Sequence, residues 1–200
     1  MKYAATYLAA VVVLALPSFA FAQAQRLSGT IVSVDGPTIM LKTTKGEDVK
    51  VTLAEKGTVL AVEKVTMEGI KQGEFVGVGA MPQADGSQRA IAIHIFQPKQ
   101  RGTGEGHRPW DLQPGSTMTN AAIATTVGST EGQVLTVRYK EGEQRVLVTD
   151  KTVIVRYVPG ERDDLKPGVA VFLNNAKALP DGTIEAPTVS YGRDGVVPPM

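Results

Sequence analysis

The sequence predicts an all-β fold of two tandem small OB-like β-barrels, each with one short helical turn. Three observations predict it. A stretch of about 70 residues occurs twice at an offset of about 95, both copies alternate apolar and polar residues, and glycine with aspartate punctuates them. Short, regularly spaced strands between such turns are typical of barrels and sandwiches. The chain is therefore predicted to be a duplicated β-domain.

The two copies match in their turn residues and in the order of those turns. Chance is a poor explanation, because every match keeps its place along the chain. The matches are Asp35-Gly36 with Glu131-Gly132, Lys45-Gly46-Glu47 with Glu141-Gly142-Glu143, Thr58-Val59-Leu60 with Thr152-Val153-Ile154, Ile70-Lys71-Gln72-Gly73 with Leu165-Lys166-Pro167-Gly168, and Asp85-Gly86-Ser87 with Asp181-Gly182-Thr183. Turn chemistry repeats and catalytic chemistry does not, so the repeat predicts architecture and leaves activity open.

The repeat divides the chain into segments. The predicted organisation is a signal peptide over 1–22, a first β-barrel repeat over 23–96, a Gly/Pro-rich linker over 97–120, a second β-barrel repeat over 121–192 and a C-terminal tail over 193–200.

Within the repeats, period-two alternation and turn residues place the individual elements. Strands are expected over 29–34, 38–42, 49–53, 59–65, 75–80 and 89–96, and again over 121–127, 134–139, 144–148, 153–157, 169–174 and 183–191. Helical turns are expected over 66–73 and 161–166, the first capped by Thr66 and ended by Gly73. Gly77 and Gly79, two apart in one strand, indicate a bend or a close backbone approach.

The N-terminus has the three parts of a secretory signal. Lys2 opens a polar start, residues 8–16 form an apolar run, and small residues stand three and one positions before Gln23. A membrane anchor is the alternative, but this run is shorter than the roughly 20 residues that cross a bilayer. Cleavage after Ala22 and a periplasmic or secreted location are predicted. The sequence contains no cysteine, so neither a lipidated cysteine nor a disulfide is available.

The first repeat also resembles a known type of domain. Residues 29–36, Gly-Thr-Ile-Val-Ser-Val-Asp-Gly, together with 71–76 and Asp85-Gly86, resemble a family of exported bacterial domains of unknown function with small OB-like β-barrels. The resemblance covers most of the first repeat and, more weakly, the second. It implies an exported bacterial barrel and carries over no catalytic residue.

Charge and hydropathy exclude several classes of partner. Without Lys2 of the predicted signal, 20 basic and 20 acidic residues remain. Such a balance gives no electrostatic footprint for nucleic acid or an anionic membrane. No second apolar run reaches membrane length, so no transmembrane segment is expected after signal cleavage. The predicted partner is an unknown protein or small-molecule ligand in the cell envelope.

The linker holds the residues best suited to a local site. The candidate ligand-binding or partner-binding residues are His107, Arg108, Trp110 and Asp111, and Trp110 is the only tryptophan. In one interpretation Trp110 anchors the linker on a barrel while Arg108 and Asp111 form a local ion pair. In the other, Trp110 stacks on a ligand and Arg108 holds an anionic group.

Metal binding and catalysis have little support in the sequence. Glu105, His107 and Asp111 match no metal-ligand spacing, and His94 is expected to be an exposed or partly buried structural histidine. Nucleophilic catalysis lacks a cysteine or an activated serine. We therefore expect no catalytic residue, no metal and no cofactor.

These observations together predict a non-enzymatic, exported binding or interaction module of the bacterial cell envelope, with its ligand unknown. Two alternatives stay open: a structural scaffold protein of the envelope, and a metal-handling periplasmic protein.

Overall fold

The computed structural model describes residues 25–129 and 132–199, which form an all-β fold, as predicted. Its strands are β1 (Gln25–Asp35), β2 (Thr38–Thr43), β3 (Asp48–Lys64), β4 (Phe75–Pro82), β5 (Gln88–Ile95), β6 (Gly106–Pro109), β7 (Thr117–Ser129), β8 (Gly132–Tyr139), β9 (Gly142–Val148), β10 (Val153–Pro159), β11 (Ala170–Ala178) and β12 (Ile184–Gly192). Single 3₁₀ turns cover Met67–Gly69, Pro98–Gln100, Arg162–Asp164 and Arg193–Gly195. The predicted signal peptide, 1–22, lies outside the described residues, within which no helix has the length and apolarity to span a membrane.

Five strands close a barrel, which we call the first barrel. Strands β1, β2 and β3 pair antiparallel in order, β12 runs parallel to β3, and β11 completes the circle between β12 and β1. Each strand sends apolar side chains inward at every second position, because successive side chains of a strand point to opposite faces. Its buried core includes Ile31, Leu41, Val51, Leu173 and Val189, one from each strand.

Five other strands form a ring of pairings, which we call the second ring. Strand β4 lies between β5 and β7, β8 lies between β7 and β9, and β5 meets β9 in parallel over two residue pairs, Gln88 with Val146 and Arg89 with Leu147. This ring encloses a separate apolar core that includes Val78, Ile93, Ile123, Leu135 and Val146.

Both circles take strands from both repeats. The first barrel combines β1, β2 and β3 of the first repeat with β11 and β12 of the second. The second ring combines β7, β8 and β9 of the second repeat with β4 and β5 of the first. The tandem arrangement, in which 23–96 and 121–192 each form their own barrel, is therefore not confirmed.

Strands β3 and β10 carry the chain between the two circles. Separate strands were expected over 49–53 and 59–65, but Asp48–Lys64 is one strand of 17 residues, so that prediction is wrong. Its N-terminal part pairs with β2, whereas its last residues pair antiparallel with β10, from Leu60 with Pro159 to Lys64 with Val155. Strand β10 then pairs in parallel with β5. Because β3 extends from the first barrel to β10, the strands that follow it, β4 and β5, lie in the second ring.

The repeated Ile70–Gly73 and Leu165–Gly168 motifs connect the repeats through the backbone. The N–H of Gly73 donates to the carbonyl oxygen of Ile123 at 2.9 Å, and the N–H of Gly168 donates to that of Ile31 at 2.8 Å. Both glycines have positive φ, 83° and 89°, which a side chain would strain. Each motif therefore docks onto a strand of the other repeat, which explains why it occurs twice.

The same motifs contribute to the cores. Ile70 follows the first 3₁₀ turn and is buried in the core of the second ring, while Leu165 follows Arg162–Asp164 and is buried in the first barrel. The first turn ends earlier than predicted, at Gly69, and Thr66 makes no side-chain cap hydrogen bond to it. A turn of three residues leaves little helical backbone for a cap to satisfy.

One buried threonine holds the corner between β9 and β10. The Thr152 hydroxyl accepts from the N–H of Thr149 at 3.0 Å and donates to the carbonyl oxygen of Ala90 at 3.0 Å. We expect Thr152→Val to lower the free energy of unfolding by about 2 kcal/mol, because two buried backbone groups lose their partner. Urea unfolding measures the effect. Thr136→Val, at a half-buried position of β8, is the control, and equal losses in both variants would contradict the expectation.

Candidate functional site

A cavity of about 280 Å³ lies where the first barrel, the second ring and the segment 103–110 meet. Each part contributes side chains to its wall: Arg26 and Phe172 come from the first barrel, His94 and Asn120 from the second ring, and Tyr157 from the connecting strand β10. Arg108 and Trp110 come from the segment that follows β5. The wall is therefore built by residues from distant parts of the chain.

A second, larger groove of about 420 Å³ runs beside β1 and β2. It is lined by Val32, Lys42 and Val197 among others, and Val32 and Val197 are exposed. None of the buried polar atoms that lack a partner in the described residues lies on its wall. The smaller cavity is therefore the better candidate for a specific site.

His94 and Tyr157 form a buried pair at the cavity wall. The Tyr157 hydroxyl lies 3.2 Å from Nδ1 of His94, and the rings meet edge to face at 5.7 Å. Burial lowers the pKa of His94 to about 4 and raises the pKa of Tyr157 to about 12. The ring of His94 also hydrogen-bonds the backbone of Pro199, which can only accept. His94 is thus neutral near neutral pH, and the Tyr157 hydroxyl donates to Nδ1.

The expectation that His94 is exposed or partly buried is wrong, since the residue is only 7% exposed. Its strand lies between β4 and β10, with His94 opposite Gly77 and Val155. Ile93 and Ile95, on the opposite face of β5, belong to the core of the second ring. Alternation could not show that Tyr157 and the C-terminal residues cover the other face of β5.

Two arginines converge on the single tryptophan. The guanidinium carbons of Arg26 and Arg108 lie 4.0 and 5.2 Å from the Trp110 ring centroid, within the range of a cation–π contact. Arg26 forms an ion pair with Asp111. Arg108 donates to the carbonyl oxygen of Gly104 at 2.8 Å. The expected pair of Arg108 with Asp111 therefore does not form, because Arg26 of β1 takes that carboxylate.

Arg108 keeps an unbalanced charge. Burial, and then repulsion from Arg26, lower the pKa of Arg108, which shows that its cationic form is disfavoured in this place. Among residues 25–129 and 132–199, no carboxylate pairs with it. An anion bound in the cavity would stabilise the cationic guanidinium of Arg108.

Two buried polar groups at the cavity wall have no hydrogen-bond partner among residues 25–129 and 132–199. Asn120 is 6% exposed, and its Nδ2 donates to the carbonyl oxygen of Thr103 at 3.0 Å, but its Oδ1 has no partner. The indole Nε1 of Trp110 is also unpaired. Buried polar groups in native proteins are nearly always paired, and each orphan costs on the order of 1–3 kcal/mol. One unpaired acceptor and one unpaired donor therefore stand beside the same cavity.

Asn120 comes close to the backbone of a neighbouring strand. A Cβ atom on Gly77 would stand 2.9 Å from Oδ1 of Asn120 and 3.1 Å from the Phe96 ring. Only glycine leaves that space, so the predicted close approach at Gly77 is explained.

The four residues predicted as a site separate in the structure. Arg108 and Trp110 line the cavity, and Asp111 lies beside it as the partner of Arg26. His107 is on β6, where its Nδ1 is 2.8 Å from the Thr119 hydroxyl, and it does not line the cavity. The predicted linker is also more ordered than expected, since β6 and the start of β7 belong to the sheet.

Several other polar residues of the wall carry no clear sequence signal, among them Arg26, Asn120 and Tyr157. A signal exists for His94, which is the one polar residue in the apolar stretch 90–95 of β5. Nothing in the pattern of β1 distinguishes Arg26 from a solvated arginine.

A metal centre finds no support in the part of the chain that the structure describes. It contains no group of three or more histidine, cysteine, aspartate or glutamate residues placed to hold a metal ion.

Comparison with known proteins adds no relative from which a site could be transferred. No family model matches the chain, and neither a curated protein nor a solved structure gives a significant match. The resemblance to the exported family stays a prediction, and the site rests on its own geometry.

Proposed function

We propose that this chain is an exported, non-enzymatic binding module of the bacterial cell envelope, with a small-molecule ligand in the cavity beside Trp110. One observation carries the proposal. The unpaired Oδ1 of Asn120, the unpaired Nε1 of Trp110 and the unbalanced Arg108 share one cavity wall. A ligand with matching groups would satisfy all three.

The same proposal treats the fold as two OB-like barrels that exchange their last two strands. Strand β5 runs parallel to β9 and then to β10, as β12 runs parallel to β3. Each circle of five strands also has its own apolar core. The similar parallel pairings and the separate apolar cores support a second barrel with the same architecture as the first.

Binding accounts for the His94 and Tyr157 pair better than catalysis does. A general acid or base works best with a pKa near the working pH. Burial moves the pKa of His94 down to about 4 and that of Tyr157 up to about 12. Neither group is matched to proton transfer near neutrality, so both suit a fixed, neutral hydrogen-bonding wall.

A periplasmic or secreted location is part of the proposal. It is supported by the signal pattern of 1–22 and the resemblance of the first repeat to exported domains. The balanced charge of the chain argues for a small envelope molecule over nucleic acid as the ligand.

Native mass spectrometry of protein purified from its own host tests the proposal. We expect the wild type to carry a bound small molecule and Trp110→Ala to lose it, because the indole is part of the wall. Val127→Ala, at a residue 61% exposed, is the control and should keep the ligand. A large stable assembly without any small molecule would contradict the proposal and favour an envelope scaffold.

A further inference from the structure

The cavity is small enough to restrict its ligand. At ~30 Å³ per molecule of liquid water, 280 Å³ corresponds to about nine waters. The cavity is open on one side, so it encloses a compact group and leaves the rest of a larger ligand outside. The part of the ligand that the cavity encloses is therefore compact.

The charge of the wall selects the sign of the ligand. Its charged side chains are Arg26 and Arg108, and no carboxylate of the described part of the chain lines it. Asp111 lies outside and balances Arg26, which leaves one positive charge on Arg108. A guanidinium presents its donors in a planar fork that matches a carboxylate. A monoanion balances this wall, and a dianion would leave one charge uncompensated.

The remaining wall favours a flat apolar body. Phe96, Met118 and Phe172 contribute apolar surface, and Phe96 stacks on Tyr157 with ring centroids 5.9 Å apart. Flat rings pack against such surfaces in offset or edge-to-face geometry.

The unpaired Oδ1 of Asn120 adds a requirement that a simple carboxylic acid does not meet. An amide oxygen can only accept a hydrogen bond. Its own Nδ2 is held by the carbonyl oxygen of Thr103, so a flip of the amide would break that bond. A matching ligand must carry an O–H or N–H donor as well as its acidic group.

We infer that the cavity binds an aromatic or similarly flat monocarboxylate with a hydroxyl or amino group on its body. The carboxylate pairs with Arg108, the ring lies among Phe96, Met118 and Phe172, and the donor reaches Oδ1 of Asn120. This inference rests on the proposed function and adds the chemical class of the ligand.

Three probes and the fluorescence of Trp110 test the inference on the full chain. The probes are 4-hydroxybenzoate, its neutral analogue 4-hydroxybenzamide, and benzoate, which lacks the hydroxyl donor. Because Trp110 is the only tryptophan and lines the cavity, binding changes its emission directly. We expect 4-hydroxybenzoate to bind at least about ten-fold more tightly than either analogue, since each analogue loses one buried hydrogen-bonding interaction.

Substitution of Arg108 tests whether this residue binds the carboxylate of the ligand. Arg108→Gln should weaken 4-hydroxybenzoate at least about ten-fold and leave 4-hydroxybenzamide unchanged. Arg138→Gln is the matched control and should change neither affinity. It removes the exposed ion pair between Arg138 of β8 and Glu143 of β9.

The outcomes separate this inference from the proposed function. Equal binding of the acid and the amide, or no response to any of the three probes, overturns the ligand class. The native ligand found by mass spectrometry would still stand in that case. A wild-type protein that carries no small molecule overturns the proposed function itself.

Discussion

Residues 25–101 expressed alone will not form a folded monomer. They contain β1, β2 and β3 but lack β11 and β12, which close the first barrel. Strands β4 and β5 would likewise lack β7 and β9. The fragment therefore exposes unpaired strand edges. It also exposes the apolar side chains that it contributes to the cores of the first barrel and the second ring, which strongly disfavours a folded monomer. We expect it to be unfolded or to dimerise by exchanging strands with a second copy, as light scattering and circular dichroism will show.

Co-expression with the second half provides the control for this experiment. Residues 25–101 and 102–199 together should give a one-to-one complex with cooperative thermal unfolding, because all strand pairings are then available. A stable monomer of 25–101 would contradict the exchanged arrangement and restore the tandem one.

Acid will destabilise the protein through His94. The pKa of this residue is about 4 in the folded chain and 6.5 when unperturbed. Between these values the unfolded chain binds a proton that the folded chain does not, so stability falls as the pH decreases from 6.5 to 4. Above pH 6.5 the contribution of His94 is fully present. The total loss is about 3 kcal/mol, at ~1.4 kcal/mol for each pKa unit.

Urea unfolding across this pH range measures the loss. His94→Gln should flatten the dependence, whereas His107→Gln should retain most of it, because His107 is exposed on β6. The NMR titration of the His94 ring gives an independent reading of its pKa. Identical pH slopes for the wild type and His94→Gln would contradict the prediction.

Local chemistry predicted the individual strands well. Strands were expected over 75–80 and 89–96, and the structure has them at Phe75–Pro82 and Gln88–Ile95. The boundary after Leu53 was wrong, because Gly57 looks like a break in sequence. In the structure the strand continues past it, while its pairing with β12 shifts register around Pro187. A register shift depends on the partner strand, which local patterns do not contain.

The site was only half predictable, for a related reason. Arg108 and Trp110 stood out because they occur in a linker, where a large aromatic residue is unusual. Arg26, Asn120 and Tyr157 are ordinary strand residues, and each belongs to a different part of the chain. Their proximity depends on which strands pair, so no spacing in the sequence could reveal it.

The sequence by itself determined that this protein is built from β-strands and where most of its turns fall. Those properties follow from side-chain alternation and from glycines such as Gly73 and Gly168, whose positive φ few other residues adopt. Only the tertiary structure decided that β11 and β12, and not β4 and β5, close the first barrel. Amphipathic strands offer similar edges and apolar faces to more than one partner, so local patterns cannot choose between them. The long β3 and its pairing with β10 make that choice, and the cavity beside Trp110 is its consequence.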